Sequence, residues 1–155
     1  MKGLTVKLLF IEISMKSDPA WAFIENFKIV EKQFEELPSF HDAHIEKLVF
    51  NSGNCNDGGN IQPSLIVELD LPIHERKGTS YKFLYYVHLE IKLAGVIKAS
   101  LKEFNYDNSL YFLNISRSDD SGLLNVKMDS SSNVDSFECE VQCSSIVVLS
   151  CNRKS

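Results

Sequence analysis

Hydrophobic residues recur along this chain at two different spacings. In residues 19–37 they lie three or four positions apart, the period of one face of an α-helix. They are Trp21, Ile24, Phe27, Val30, Phe34 and Leu37. Asp18 and Pro19 suit the first turn of such a helix, and Pro38 suits its end because the residue before a proline avoids helical geometry.

After His44 the apolar positions alternate with polar ones, as in a β-strand with one buried face. The longest such run, 83–93, places Phe83, Tyr85 and Val87 on one face and Tyr86, His88 and Glu90 on the other. Further alternating runs lie at 65–71, 96–104, 110–115, 123–128, 137–143 and 146–151. The parity switches between Ile45 and Leu48, which predicts either a β-bulge or a late start of the strand.

Two-faced strands joined by short polar turns favour an antiparallel meander that needs cover on its apolar side. The 19–37 helix is long enough to provide that cover. The sequence therefore predicts an α+β fold, with an N-terminal amphipathic helix packed on an antiparallel meander sheet of about six or seven strands. We expect one domain over residues 1–155, in which 1–16 is either a leader or an edge strand and 152–155 is a mobile tail.

Composition narrows the choice of partner. The chain is 44% apolar and 24% charged, as in a globular domain that buries one sizeable core. Its formal charge of -5 is the wrong sign for neutralising phosphates, so nucleic acid is not an expected partner. No apolar run approaches the ~20 residues of a membrane span, so no membrane is expected either.

The cysteines indicate a reducing compartment. Cys139 and Cys143 fall four residues apart on one face of a predicted strand, which separates them by ~13 Å. A disulfide needs α-carbons within ~7 Å, so these two thiols cannot bond to each other there. We interpret the cysteines as small core residues of a cytoplasmic protein.

The densest group of candidate catalytic or metal-binding side chains is His41, Asp42, His44 and Glu46. Two imidazoles and a carboxylate can hold a metal, but an extended segment would point His41 away from Asp42 and His44. In the other interpretation Asp42 fixes the turn into the following strand. No activated nucleophile and no phosphate-binding loop accompanies the group, so we expect no catalytic residue, no cofactor and no enzyme.

Two hypotheses of function follow. In the first, the chain is a non-enzymatic protein-binding module, and the exposed row Tyr86, His88 and Glu90 contributes to its binding surface. In the second, it is a small metal-binding or ligand-binding protein, hydrolases included, that uses His41, Asp42 and His44. The oligomeric state stays open under both hypotheses.

The N-terminal region resembles a known family. A tryptophan-bearing helix followed by Phe40, His41, Asp42 and Ala43, and then by a series of strands, is similar to the immunity proteins numbered fifty of bacterial polymorphic-toxin systems. The resemblance covers about residues 21–151. It implies a cytoplasmic, non-catalytic protein that neutralises a toxin domain, with the FHDA residues holding the fold. The acidic balance of the chain would suit a basic toxin.

Overall fold

The computed structural model describes residues 22–34, 40–54, 61–104, 108–130 and 136–154. Within these ranges 65% of the residues lie in strands and 7% in helices, which makes the fold mostly β. The predicted α+β class is therefore wrong. Among the described residues, no helix has the length and apolar character needed to cross a membrane.

Nine strands and one short α-helix form the described architecture. In chain order they are β1 (Ile24–Glu25), α1 (Lys28–Gln33), β2 (His44–Asn51), β3 (Ser64–Lys77), β4 (Ser80–Ala94), β5 (Lys98–Lys102), β6 (Phe112–Arg117), β7 (Leu124–Asp129), β8 (Glu138–Cys143) and β9 (Ser145–Arg153). One sheet has the order β1-β9-β4-β3-β2 and the other the order β5-β8-β7-β6. All the pairings are antiparallel except that of β1 with β9.

The long N-terminal helix predicted for residues 19–37 is not formed. Ile24 pairs with Ile146 of β9, Asn26 adopts a left-handed φ of 60°, and α1 then lasts only six residues before Phe34 becomes extended. Isoleucine, valine and phenylalanine are weak helix formers, so the pairing with β9 outweighs the helical period. The predicted helix start at Asp18 and Pro19 and its predicted end at 37–38 lie outside the described residues.

The sheet is also not a single meander. Two meanders occur, β2-β3-β4 and β6-β7-β8, and the remaining pairings join strands far apart in the sequence. β9 lies between β1 and β4, and β5 lies beside β8. Sequence periodicity identifies which face of a strand is buried, but it does not specify which strands are neighbours, and this accounts for the error.

The two sheets are joined at a corner where paired strands bend together. β4 continues into β5 through Gly95, and β8 continues into β9 through Ser144. Across the bend the Ser144 N–H donates to the Ala94 carbonyl at 3.0 Å and the Ile97 N–H donates to the Gln142 carbonyl at 2.9 Å. The ladder therefore runs without a break from one sheet into the other.

Both sheets contribute to one cluster of buried side chains, so they pack around a common core. The predicted alternation is confirmed: Leu65, Val67, Leu69 and Leu71 are all buried. Cys139 and Cys143 are both buried on β8, as expected for small core residues. The predicted bulge also occurs, as a register shift in β2 between Ile45 and Lys47.

Candidate functional site: a groove at the base of a projecting hairpin

The ends of β3 and β4 project beyond their neighbouring strands. β2 pairs with β3 only as far as Asp70, and β9 pairs with β4 only from Val87 onwards. Residues Leu71 to Tyr86 therefore form a two-stranded hairpin, which we call the arm. At ~3.3 Å per residue the arm extends about 20 Å past the rest of the sheet.

A bulge in the arm changes which side chains share a face. Ile73 pairs with Tyr85 while His74 pairs with Phe83, so Leu84 is an extra residue in β4. The bulge brings Phe83 to the side of Tyr86, where the two ring centroids are 4.9 Å apart. The sequence period had placed Phe83 on the core face opposite Tyr86, and this placement is wrong.

The arm exposes a group of large apolar side chains. Tyr81, Phe83, Leu84 and Tyr86 are each between 42% and 68% exposed. Exposed apolar residues are normal when scattered singly, whereas a group of them on one element makes that element a candidate for an interaction site.

The charges on the arm are mostly positive. Arg76, Lys77 and Lys82 outnumber the single carboxylate, Glu75, which lies 3.6 Å from Lys77. At the base of the arm, the Arg153 guanidinium lies 4.1 Å from the centre of the Tyr85 ring, a cation–π contact. The arm is thus a locally cationic, aromatic element on a chain whose net charge is -5.

An open groove of about 740 Å³ lies at the base of the arm. Its lining consists of His44, Glu46, Asp70, Phe83, Leu84, Tyr85, Tyr86, Arg153 and Lys154. The register of the sheet explains why polar side chains lie side by side near the groove. His44, Asp70, His88 and Asn152 lie directly opposite one another on β2, β3, β4 and β9.

Asp70 is the centre of the polar row, although it is only 3% exposed. The Nδ1 atom of His88 lies 2.8 Å from Asp70 Oδ1, and Lys154 donates to Asp70 Oδ2. Lys154 Nζ also lies 3.9 Å from a carboxylate oxygen of Glu46. Lys154 therefore joins two acidic side chains and ties the end of β9 to β3.

The pKa values of Asp70 and Lys154 favour the ionised pair. Burial acts to raise the pKa of Asp70, but the hydrogen bonds to Lys154, His88 and Glu46 outweigh it and leave this pKa below its ordinary value of 3.8. The hydrogen bond to Asp70 raises the pKa of Lys154. An ionised Asp70 carries no proton, so Nδ1 of His88 is the donor. Each oxygen of the Asp70 carboxylate thus accepts a hydrogen bond from a cationic or imidazole side chain.

The depressed pKa predicts how stability depends on pH. Because folding lowers the pKa of Asp70, its contribution is present above pH ~4 and is lost as the pH falls below that value. At pH 7, Asp70→Asn should lower the free energy of unfolding by about 2 kcal/mol. Urea unfolding of both proteins at pH 7 and pH 3 measures this difference, which should shrink at the lower pH.

A control on the same face of β3 isolates the effect of burial. Glu68 accepts a hydrogen bond from Lys47 at 2.9 Å, but the lysine side chain of this ion pair is exposed to solvent. Glu68→Gln should change stability by less than about 1 kcal/mol. If the free energy of unfolding of Asp70→Asn depended on pH in the same way as that of the wild type, the ion pairs of Asp70 would not be the source of the loss of stability in acid.

The FHDA residues divide between core and surface. Phe40 and Ala43 are buried, whereas His41 and Asp42 are exposed at a turn in which Asp42 has a φ of 67°. His41 Nδ1 lies 3.0 Å from Asp42 Oδ2, so the two side chains meet instead of pointing apart as in an extended segment. Backbone bonds of 2.8 and 2.7 Å connect Asp42 and Ala43 to Leu110.

The proposed metal ligands are separated by this turn. His41 packs edge-on against Tyr111, with ring centroids 5.2 Å apart, while His44 lies in the lining of the groove. Over the described ranges, no three side chains among His, Cys, Asp and Glu converge in a way that could hold a metal ion.

The predicted binding row is only part of the site. Tyr86 lines the groove, His88 is hydrogen-bonded to Asp70, and Glu90 lies two residues beyond His88, opposite Glu68. Sequence reasoning missed Asp70 and Lys154, because the former reads as an outward strand residue and the latter as part of a mobile tail. In the structure β9 runs through Arg153, and the Lys154 N–H donates to the Tyr86 carbonyl at 2.9 Å.

The resemblance to immunity proteins rests on the four residues from Phe40 to Ala43, which connect β2 to the segment around Leu110. Only Phe40 and Ala43 of the four are buried in the core. A search for related proteins adds no relative to this picture: no protein-family model, no curated protein and no solved structure matches the chain.

Proposed function

We propose that the chain is a non-enzymatic protein-binding module and that its docking surface comprises the arm and the groove at its base. The observation that carries this proposal is the group of exposed apolar side chains at Tyr81, Phe83, Leu84 and Tyr86. They lie on a hairpin that the other described strands leave uncovered.

The residue types on the arm suit recognition of a protein. Tyrosine and arginine are enriched among the residues that dominate binding energy, and aromatic rings give a large contact area with few rotatable bonds. Tyr85 and Tyr86 lie at the base of the arm beside the groove. Aromatic side chains next to a concave surface can anchor a partner while the polar rim sets its orientation.

The polar side chains of the groove favour binding over catalysis. Asp70 and Lys154 are paired with each other, and their shifted pKa values keep both charged at neutral pH. A carboxylate with a lowered pKa is a weak base and an ammonium with a raised pKa is a weak acid, so neither group suits acid–base catalysis at neutral pH. They can still orient a partner through the hydrogen-bonding positions left on Glu46 and His44 at the groove surface.

The nature of the partner can be narrowed by charge. The resemblance predicts a toxin domain, and the overall charge of -5 predicts a basic one. The arm, however, carries Arg76, Lys77 and Lys82 against Glu75. Since interfaces bring opposite potentials together, we propose that the protein docked on the arm presents an acidic surface.

A photo-crosslinker placed on the arm tests this proposal. Benzoylphenylalanine replaces Tyr81, which is on the arm and 68% exposed, or Tyr111, which is not part of the arm and is 60% exposed. In lysate of the source cells we expect the Tyr81 position, but not the Tyr111 position, to give a discrete protein adduct that mass spectrometry identifies.

The adduct should depend on the aromatic side chains of the arm. Phe83→Ser in the same background should reduce its yield at least ~10-fold while lowering stability by only about 1 kcal/mol, since the ring is 45% exposed and loses mainly its contact with the Tyr86 ring. Adducts that nuclease removes, or equal adducts at Tyr81 and Tyr111, would overturn the assignment of a protein-binding surface to the arm.

A further inference from the structure

The strands that the structure describes leave one backbone edge of the arm without a neighbour. β9 pairs with β4 as far as Val87, and the Lys154 N–H then donates to the Tyr86 carbonyl. From Tyr81 to Tyr85, none of the described strands lies against the side of β4 that faces away from β3. On either side of the bulge at Leu84, this stretch presents backbone donors and acceptors in the geometry of a strand, which is the template for adding another strand.

The opposite edge of the arm is less suited to strand addition. β2 leaves β3 at Asp70, because the residues before His44 turn away to bond with Leu110. Pro72 lies two residues after Asp70 on β3 and has no backbone N–H to donate. Proline at such a position is one of the devices that protect a sheet edge from pairing. The β4 edge is therefore the better template.

We propose, on the basis of the protein-binding function above, that the partner contributes an extended acidic segment that pairs with β4 along Tyr81 to Tyr85. The segment would continue the line of β9 and lengthen the five-stranded sheet beyond Arg153. Main-chain hydrogen bonds would give the affinity, and side chains on alternate residues would reach the apolar groove or the solvent. The stretch from Tyr81 to Tyr85 admits a strand of about five residues.

Charge selects an acidic partner over a second copy of this chain. Two copies paired through this edge would bring Lys82 of one arm close to the cationic residues of the other arm. Like charges on adjacent strands are destabilising. An acidic segment instead would place carboxylates beside Lys82 and near Arg153, where opposite charges on neighbouring strands are favourable.

Binding of defined peptides to the full chain tests this inference. The probe is a fluorescent eight-residue peptide of alternating glutamate and valine, and its binding is measured by fluorescence anisotropy. A peptide of alternating lysine and valine tests charge, and the glutamate peptide N-methylated on alternate amides tests backbone pairing. We expect the unmodified acidic peptide to bind at least ~10-fold more tightly than either comparison peptide.

Two further measurements locate the peptide. Lys82→Glu should weaken binding of the acidic peptide and strengthen binding of the lysine peptide, while Lys98→Glu on β5 serves as a control that changes neither. Hydrogen exchange should show protection of the amides between Tyr81 and Tyr85 when the acidic peptide is bound.

The outcomes distinguish this inference from the proposed function. If Tyr81 still crosslinks a protein but the N-methylated peptide binds as well as the unmodified one, strand addition is overturned and the binding module stands. A dimer at micromolar concentration in light scattering, with the same amides protected without peptide, would overturn the acidic segment in favour of a second copy. Absence of a protein adduct at Tyr81 overturns both proposals.

Discussion

Phe137→Ala is expected to lower the free energy of unfolding by about 4 kcal/mol, because removing a fully buried aromatic ring leaves a cavity in addition to the lost transfer energy. Phe137 has no exposed surface and precedes β8, where its carbonyl accepts from the Ser130 amide at 3.0 Å. A loss of this size is a large part of the stability of a small protein. Chemical denaturation monitored by circular dichroism measures it.

Phe104→Ala is the matched control for that change. The Phe104 ring meets the Phe137 ring edge-on, with centroids 5.8 Å apart, but 43% of Phe104 is exposed. Its removal should cost only about 1 kcal/mol, the range of one aromatic pair. Equal losses for the two variants would contradict the placement of Phe137 in the shared core.

Gly95→Ala is expected to cost about 3 kcal/mol, from a left-handed backbone conformation that alanine resists together with a steric conflict at the corner. Gly95 has a φ of 62°, and an added β-carbon would lie 2.1 Å from Ser144 Oγ and 3.0 Å from Ser144 Cβ. The hydroxyl cannot simply rotate away, since it donates to the Ala94 carbonyl at 3.0 Å. Equilibrium unfolding in urea measures the effect.

Gly78 provides the control for the Gly95 variant. Its φ of 63° is nearly the same, but an added β-carbon would meet nothing within 4 Å. Gly78→Ala should therefore show only the backbone penalty, about 1 kcal/mol. The excess at Gly95 should shrink in the Gly95→Ala, Ser144→Ala double variant. An equal loss at the two glycines would show that the corner has room for a side chain.

The individual strands could be predicted because burial imposes a period of two on the sequence. Leu65 to Leu71 read correctly as alternating core residues, and the parity switch after Ile45 correctly marked a bulge. The predicted runs 83–93 and 96–104 are separated at the position where Gly95 lets the chain turn the corner with a positive φ. These features depend on residues that are close together in the sequence, so a local sequence pattern is enough to predict them.

The helix could not be judged from its period alone. Ile24, Phe27 and Val30 keep a spacing of three, yet the pairing of Ile24 with Ile146 and the left-handed Asn26 divide the segment. Ile24 and Val30 are buried even so, and α1 packs on β9. The sequence pattern therefore predicted that Ile24 and Val30 are buried. Their backbone conformation could not be predicted in the same way, because it depends on β9, which is far away in the sequence.

The candidate site depends on register, which the sequence does not display. Tyr86 and His88 were recognised from their exposed face, but Asp70 becomes their neighbour only because β3 pairs with β4 at that step. Phe83 joins them through the single extra residue at Leu84. A glycine or proline would have announced an irregularity there, and neither is present in residues 83–86.

The position of β9 between β1 and β4 has a consequence for how the chain folds. Its pairings join the two ends of the described sequence, and such distant contacts form late because a long loop must close first. Until β9 pairs with β4, the backbone edge of β4 from Val87 to Leu93 is exposed to other molecules. We therefore expect slow refolding, on the order of milliseconds to seconds, and a transient intermediate whose aggregation rises with protein concentration.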